Sequence, residues 1–502
     1  MKKPSQMQRI ARGGRKMKAI VRAVSITPVR MVLLLFFLAP PVAAQQLHAD
    51  VTGRLSAAAA LHADAQDAGV RNGPMPLSLQ EARQAALENS RQLKSAELDV
   101  QTAEKQIWET TAGGLPQISA SLGYQYYFEL PTSLIPAEFF GGQPGEFTEI
   151  QFGTEQNLTA SATINQLIFS GEYIVGLRAA RIYRDLAREG RNRTELEVKT
   201  MVTETYFLAL LAMENLEVVR QNLDNMRKTL RETKQVLEAG FTDPINVDQL
   251  QLTVSNMEYS VSSLERQKSL SLSLLKFQSG LDAGLEVRLT DSLAGLLRQI
   301  SLQSRMHGEF DPQRHIDFRI MQSQEAFSTM VLRREQSFFL PSISAFYTRQ
   351  EMAMRDRFNF TESGYPWFPT SFLGINLNIP VFSSGMRSAR VQQARIELEK
   401  ARIGKEETRQ ALIVRMQQAR ADFQTAMDQY QNQKGNLELA RRILERTTIM
   451  HREGLASSLE LTQASDQLLS TQSNYLGAMA GLLNAWNSLE KATGRLETGM
   501  VE

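Results

Sequence analysis

The hexapeptide Leu115-Pro-Gln-Ile-Ser-Ala120 recurs further along the chain as Leu340-Pro-Ser-Ile-Ser-Ala345. Other pairs follow in the same order: Phe169-Ser-Gly171 with Phe382-Ser-Ser-Gly385, Ala180-Arg-Ile182 with Ala394-Arg-Ile396, Gly240 with Gly454, and Gly280 with Gly494. The last three pairs share one offset of 214 residues. Because chance similarity does not keep register over so long a stretch, the sequence predicts an internal duplication.

Alternating apolar and small polar residues follow each Leu-Pro motif, in residues 116–169 and 341–383, and each region is predicted to hold two β-strands. One set of apolar residues shares a face: Ile118, Ala120, Leu122, Tyr124 and Tyr126 in the first copy, and Leu373, Ile375 and Leu377 in the second. An apolar face opposite a small polar face is typical of a transmembrane β-barrel with a wet lumen. A soluble, half-buried sheet is the alternative interpretation of the same pattern.

The loops between the predicted strands, Pro131–Glu155 and Asp356–Pro369, are rich in proline, glycine and aromatic residues. Four aromatic residues near the second loop are predicted to form an interfacial girdle: Tyr365, Trp367, Phe368 and Phe372. Only four spanning strands are predicted per chain, and an open strand edge cannot be satisfied in lipid. Because the smallest outer-membrane barrels have about 8 strands, a spanning chain must assemble. A trimer would supply twelve.

Long helices follow the strands in both copies. From Val198 onward, apolar or small residues recur alternately four and three positions apart, which is the period of a coiled coil. The first copy carries this seam on Val202, Thr205, Ala209, Ala212, Leu216, Val219, Leu223, Met226, Leu230, Thr233 and Leu237. A return stripe follows Gly240, and the second copy repeats both. The fold is therefore predicted to be mainly α with β, with long helical hairpins at 172–280 and 386–494.

The first 44 residues contain nine of the 56 basic residues and none of the 54 acidic residues, so the remaining chain carries seven more acids than bases. This balance argues against a nucleic-acid partner. The basic stretch precedes a short apolar run and Val42-Ala43-Ala44, which predicts a signal peptide at 1–44, with Met1 or Met17 as the start. No cysteine is present, so disulfides, thiolate metal sites and a lipid-modified cysteine are excluded.

The doubled motifs, with the opening helix Leu77-Ser-Leu-Gln-Glu-Ala82 and a glycine at each hairpin turn, resemble the TolC-like outer-membrane efflux proteins, the outer membrane factors. The resemblance covers nearly the whole chain after the leader. It implies a homotrimer in the outer membrane of a Gram-negative bacterium, with a 12-stranded β-barrel in contact with outer-membrane lipid and an α-barrel in the periplasm. It also implies a periplasmic adaptor (membrane fusion protein) and an inner-membrane pump of the RND or ABC type as partners.

The predicted organisation follows from this. A flexible N-terminal segment (45–76) precedes a first repeat (77–283), an equatorial insert (284–309), a second repeat (310–494) and a C-terminal tail (495–502). The chain would be a passive exit duct of a tripartite efflux or type I secretion system.

The two hairpin turns are the predicted docking sites for the adaptor. Their residues are Gly240, Phe241, Thr242 and Asp243 in the first turn, and Gly454, Leu455, Ala456 and Ser457 in the second. Asp243 and Ser457 or Ser458 are also expected to cap the helices that follow. The alternative is that these segments are turns and nothing more.

The resemblance also assigns the periplasmic constriction to four positions: Glu460, Asn246, Gln463 and His451. Since only Glu460 is charged, we hypothesise that three Glu460 side chains form a ring that favours cations and resists full ionisation. A solvated Glu460 on an outer helix face is the alternative.

Two other classes compete with the duct: a non-transporting periplasmic coiled-coil scaffold, and an adaptor protein. An adaptor is expected to have one hairpin and soluble β-domains, and a scaffold leaves the alternating segments unexplained. No nucleotide-binding glycine loop or nucleophile motif is present, and the five histidines are not at ligand spacing on one helix. The sequence therefore predicts no enzyme, no metal site and no cofactor, and it does not define the substrate.

Overall fold

A computed structural model describes residues 74–303 and 310–494, and their contacts divide them into two units. The sheet unit comprises Gly113–Phe169 and Ser342–Asn378, and the helical unit holds the other described residues. The predicted signal peptide and C-terminal tail lie outside the described residues, as does the predicted flexible segment 45–76 except for its last three residues. The predicted insert 284–309 is described up to residue 303.

The sheet unit contains one four-stranded antiparallel sheet with the order β2-β5-β7-β8. Its strands are β2 (Gln117–Tyr126), β5 (Gln156–Phe169), β7 (Ser342–Arg355) and β8 (Phe368–Asn378). The first predicted loop is more ordered than expected, because it forms a second hairpin of β3 (Thr132–Pro136) and β4 (Phe147–Gln151). This hairpin pairs only within itself, so the large sheet keeps the four strands that the sequence predicts.

The strand register separates a mainly apolar face, which also carries the Arg349–Glu351 ion pair, from a polar face. Cross-strand partners share a face, and hydroxyl pairs mark the polar one: Ser121 with Ser161 at 2.8 Å, and Thr163 with Thr348 at 3.0 Å. Large apolar side chains on the other face are open, with Leu373 75% exposed.

Two of the predicted girdle residues lie on the polar face, since Phe368 pairs with Met352 and Phe372 pairs with Thr348. The girdle prediction is wrong for these two. The other two aromatic residues belong to the loop that precedes β8. Tyr365 lies there under the Arg355 guanidinium, 5.1 Å from the ring centroid.

Eight helices are described in the helical unit. They are α1 (Leu79–Asn89), α2 (Arg91–Ala112), α3 (Gly171–Glu238), α4 (Pro244–Gln278), α5 (Leu293–Gln303), α6 (Ile316–Ser337), α7 (Met386–Arg452) and α8 (Ser458–Ala492). With 68 residues, α3 is roughly 100 Å long at the rise of an α-helix. None of the described helices is both long and apolar enough to cross a membrane.

The predicted helical seam is the buried stripe of α3, which packs against α1, α2, α4, α6 and α8. Ten of its eleven predicted positions, from Val202 to Thr233, are buried. The corresponding stripe of α7 is buried mainly at Ala419, Leu437 and Ala440. The difference has a packing cause, because α7 contacts mainly α6 and α8 within the chain.

The insert is tied to the start of the first repeat by a short parallel sheet of β1 (Met75–Leu77) and β6 (Val287–Leu289). Next to it, the buried Tyr206 hydroxyl lies 2.8 Å from Asp291 Oδ2 and 2.9 Å from the Leu77 carbonyl oxygen. The Leu79 N–H donates to the same Asp291 oxygen at 2.8 Å. Burial, reinforced by the Asp291 carboxylate, raises the pKa of Tyr206 well above its usual range.

Candidate functional site

The first hairpin turn joins α3 to α4 through Gly240, whose φ is +80°. The Phe241 N–H donates to the Val236 carbonyl at 3.0 Å, and the Gly240 N–H donates to the Leu237 carbonyl at 2.9 Å. These two bonds close the last turn of α3 in the pattern that favours glycine in the left-handed conformation. The turn therefore holds Phe241 outside the helix end, where it is 84% exposed.

The second turn repeats this geometry between α7 and α8. Gly454 has a φ of +72°, and the Leu455 N–H donates to the Met450 carbonyl at 2.8 Å. Leu455 corresponds to Phe241 in the repeat and is 73% exposed. The duplication has thus kept an exposed apolar residue directly after each turn glycine.

Exposed apolar residues surround both turns at equivalent positions. The equivalent pairs, separated by 214 residues, are Val236 with Met450, Phe241 with Leu455, and Ile245 with Leu459. We call these six side chains the turn patches. Their exposed fractions range from 43% for Val236 to 84% for Phe241. Sequence reasoning found Phe241 and Leu455 but missed the other four, and the offset of the repeat could have identified them.

The two turns differ in how the next helix is capped. At the second turn, Ser457 and Glu460 form a capping box: the Glu460 N–H donates to Ser457 Oγ at 3.2 Å, and the Ser457 N–H donates to Glu460 Oε2 at 2.7 Å. At the first turn, Asp243 stands at the cap position, but its side chain makes no capping hydrogen bond. The expected cap by Ser457 is therefore present, and the expected side-chain cap by Asp243 is not.

The capping box favours the ionised form of Glu460. The hydrogen bonds from Ser457, first from its backbone N–H and then from its hydroxyl, lower the pKa of this exposed carboxyl. This direction is opposite to the one expected from crowding three carboxylates in a pore. The chain itself thus keeps Glu460 ionised at neutral pH.

The other predicted constriction residues lie near the turns, and in the described part of the chain no hydrogen bond joins one of them to another. Asn246 Nδ2 donates to Thr242 Oγ1 at 3.1 Å, His451 Nε2 lies 3.3 Å from Ser458 Oγ, and Gln463 is exposed. Burial lowers the pKa of His451, so the imidazole is neutral at pH 7. Within residues 74–303 and 310–494, no hydrogen bond joins one turn to the other, and no group of three or more acidic or histidine side chains is placed to hold a metal ion.

Comparisons with known proteins agree with this architecture. The family model described as outer membrane efflux protein matches residues 82–288 and 322–495. The chain is 22% identical over 416 residues to the probable outer membrane lipoprotein SilC of Salmonella typhimurium, covering 82% of this chain and 84% of that protein. It is 22% identical over 405 residues to the cation efflux system protein CusC of Escherichia coli K12, covering 78% and 80%.

Solved structures share the fold. A crystal structure of CusC superimposes with a TM-score of 0.65 at 18% identity, covering 83% of this chain and 92% of that one. The CmeC outer membrane channel of Campylobacter jejuni gives a TM-score of 0.63 at 16% identity, covering 83% and 85%.

Duplicated helical hairpins and a four-stranded sheet are the fold that this chain shares with outer-membrane channels. The chain belongs to the outer membrane efflux protein family. It is an outer-membrane exit duct for efflux, which sets aside the scaffold and adaptor alternatives. The family is one of ducts and not of enzymes.

Proposed function

We propose that three copies of this chain form a passive duct that exports solutes delivered by an inner-membrane pump through a periplasmic adaptor. The sheet unit of each copy would supply four strands to a 12-stranded barrel, and the helical unit would supply two hairpins to a periplasmic barrel. The apolar sheet face would contact outer-membrane lipid. The duct itself would perform no chemistry, so the pump, of the RND or ABC type, would provide the energy.

The main observation that supports assembly into a trimer is that the sheet has two open edges. Among the described residues, β2 and β8 each pair with one neighbour only. An open strand edge in lipid leaves its backbone N–H and C=O groups without partners. Because β2 and β8 run antiparallel, β8 of one copy can pair with β2 of the next, and closure by this route needs several copies.

The mass of the detergent-extracted particle from separated outer membranes tests this proposal. We expect a particle of three chains in the outer-membrane fraction. A monomer or dimer in the periplasmic fraction would contradict it, because four strands alone cannot close.

The turn patches support the second part of the proposal, docking of the adaptor at the hairpin turns. Exposed apolar residues at a hairpin end favour association, because their surface is removed from water when a partner covers them. The free Asp243 carboxylate adds a charged acceptor beside the first patch. An adaptor surface with apolar residues and a basic group would fit both features.

A ring of three ionised Glu460 carboxylates is our proposal for the ion preference of the periplasmic constriction, with Asn246, Gln463 and His451 as its neutral neighbours. The variant Glu460→Gln removes the charge but keeps the turn, because glutamine also closes a capping box. We expect a severalfold lower ratio of cation to anion permeability for channels in planar bilayers. The control is Glu453→Gln, which removes an exposed charge from the same turn. Unchanged selectivity of Glu460→Gln would contradict the ring.

A further inference from the structure

Three aromatic residues, Phe346, Phe368 and Phe372, lie on the polar face of the four-stranded sheet, and the rings of Phe346 and Phe372 are in contact. The cross-strand layers read Gln117, Asn165, Phe346 and Gly374, then Ser119, Thr163, Thr348 and Phe372. The β2, β5, β7 and β8 positions on this face carry hydroxyl, amide, methionine, leucine, phenylalanine or glycine residues and no charged residue. Phe346 and Phe372 therefore differ from the neighbours in their own layers.

The two rings form a preset pair. Their centroids are 5.9 Å apart with an interplanar angle of 85°, the edge-to-face arrangement that aromatic rings prefer. The ring of Phe346 lies over Gly374, where a Cβ atom would come within 2.5 Å of Phe346 Cζ and 2.6 Å of Cε1. The sheet therefore has a glycine where the ring needs space.

Covering a strand glycine stabilises a sheet, and this accounts for Phe346. It does not account for Phe372, which leaves 48% of its surface exposed. The Thr348 hydroxyl, opposite Phe372 on β7, is already paired with that of Thr163 at 3.0 Å. The open ring of Phe372 therefore leaves an aromatic surface available to a passing solute.

We propose that the Phe346–Phe372 pair, hereafter the aromatic pair, is a binding site in the duct for organic cations with an apolar body. The inference rests on the proposed function, in which the polar face lines the lumen and each copy contributes one pair. The face of an aromatic ring attracts a cation, and the polar face of the strands carries no positive charge to oppose it. An apolar body gains by covering the exposed ring surface.

The test uses the purified full-length trimer in planar bilayers, with two probes of the same shape and opposite charge, tetraphenylphosphonium and tetraphenylborate, added from the side of the β3–β4 hairpin. We expect tetraphenylphosphonium to reduce the current, and Phe372→Leu to weaken this block roughly tenfold. Phe372→Tyr keeps the ring and is expected to retain the block. Tyr347→Leu removes an aromatic residue from the opposite face of the same sheet and serves as the matched control.

The outcomes separate this inference from the proposed function. Conducting trimers that are blocked equally in the wild type, Phe372→Leu and Phe346→Leu would overturn the inference alone. Equal block by tetraphenylborate, with the same dependence on Phe372, would overturn the preference for cations. Absence of a conducting trimer for the wild type would overturn the proposed function and the inference with it.

Discussion

A chain that carries both Phe241→Asp and Leu455→Asp is expected to lose export almost completely while it still forms trimers in the outer membrane. Both side chains are largely exposed, at 84% and 73%, so a charge there costs the folded chain little. In a docked complex the same carboxylates would be buried without a partner, at a cost of several kcal/mol each. Three copies would place six such charges at the proposed interface.

Site-specific crosslinking to the adaptor in cells, together with export, measures this effect. The matched control exchanges the two residues, Phe241→Leu with Leu455→Phe, which keeps both patches apolar and should keep most of the activity. The amount of trimer in the outer membrane must be equal in all strains. Normal crosslinking by the double aspartate variant would place the adaptor elsewhere on the helical unit.

The helical part of the fold was accessible from sequence because its signal is local and repeated. A seam of one period from Val202 to Thr233 requires only that neighbouring helices pack along it, and the turn glycines mark where each arm ends. The weaker burial of the equivalent α7 stripe was not predictable in the same way. It depends on which helices lie beside α7, and the period of its own residues does not contain that information.

The sheet illustrates a second limit. Alternation identified the two faces, yet Phe372 was assigned to the lipid interface because it follows Tyr365 and Trp367 in the sequence. Its face is fixed by pairing with Thr348 of β7, and a shift of one residue in register would have reversed it. The β3–β4 hairpin was missed because its strands are only five residues each and a connection of ten residues, which includes a short helix, separates them.

The contacts of the insert were beyond sequence reasoning. Tyr206 is a hydroxylated aromatic residue in an otherwise apolar or small-residue stripe, and Asp291 lies 85 positions later. Only the parallel pairing of β1 with β6 brings Leu77, Leu79 and Asp291 together. A long-range polar network of this kind has no local pattern, although a buried tyrosine needs a partner for its hydroxyl.

That network leads to the largest stability effect that we expect. Asp291→Ala removes the only described acceptor of the partly buried Leu79 N–H and the charged acceptor near the Tyr206 hydroxyl. A lost hydrogen bond to a charged group together with an orphaned donor predicts a loss of about 3 kcal/mol. Tyr206→Phe should cost only about 1 kcal/mol, because Asp291 keeps the Leu79 N–H and the Leu77 carbonyl keeps the Thr290 N–H.

The free energy of unfolding can be measured by guanidinium unfolding followed by circular dichroism, at fixed protein and detergent concentrations. Asp291→Asn keeps an acceptor, so its free energy of unfolding should lie between those of Asp291→Ala and Tyr206→Phe. Hydrogen exchange of residues 75–89 and 287–300 should rise most in Asp291→Ala, because the network joins these two segments. Because folding raises the pKa of Tyr206, its contribution to the free energy of unfolding is present below pH 10 and is lost as the pH rises above it, since the unfolded tyrosine then ionises first. Tyr206→Phe should lack this alkaline loss. Equal stability of Asp291→Ala and Tyr206→Phe would mean that the Leu79 N–H finds another partner and that Asp291 does not anchor the insert.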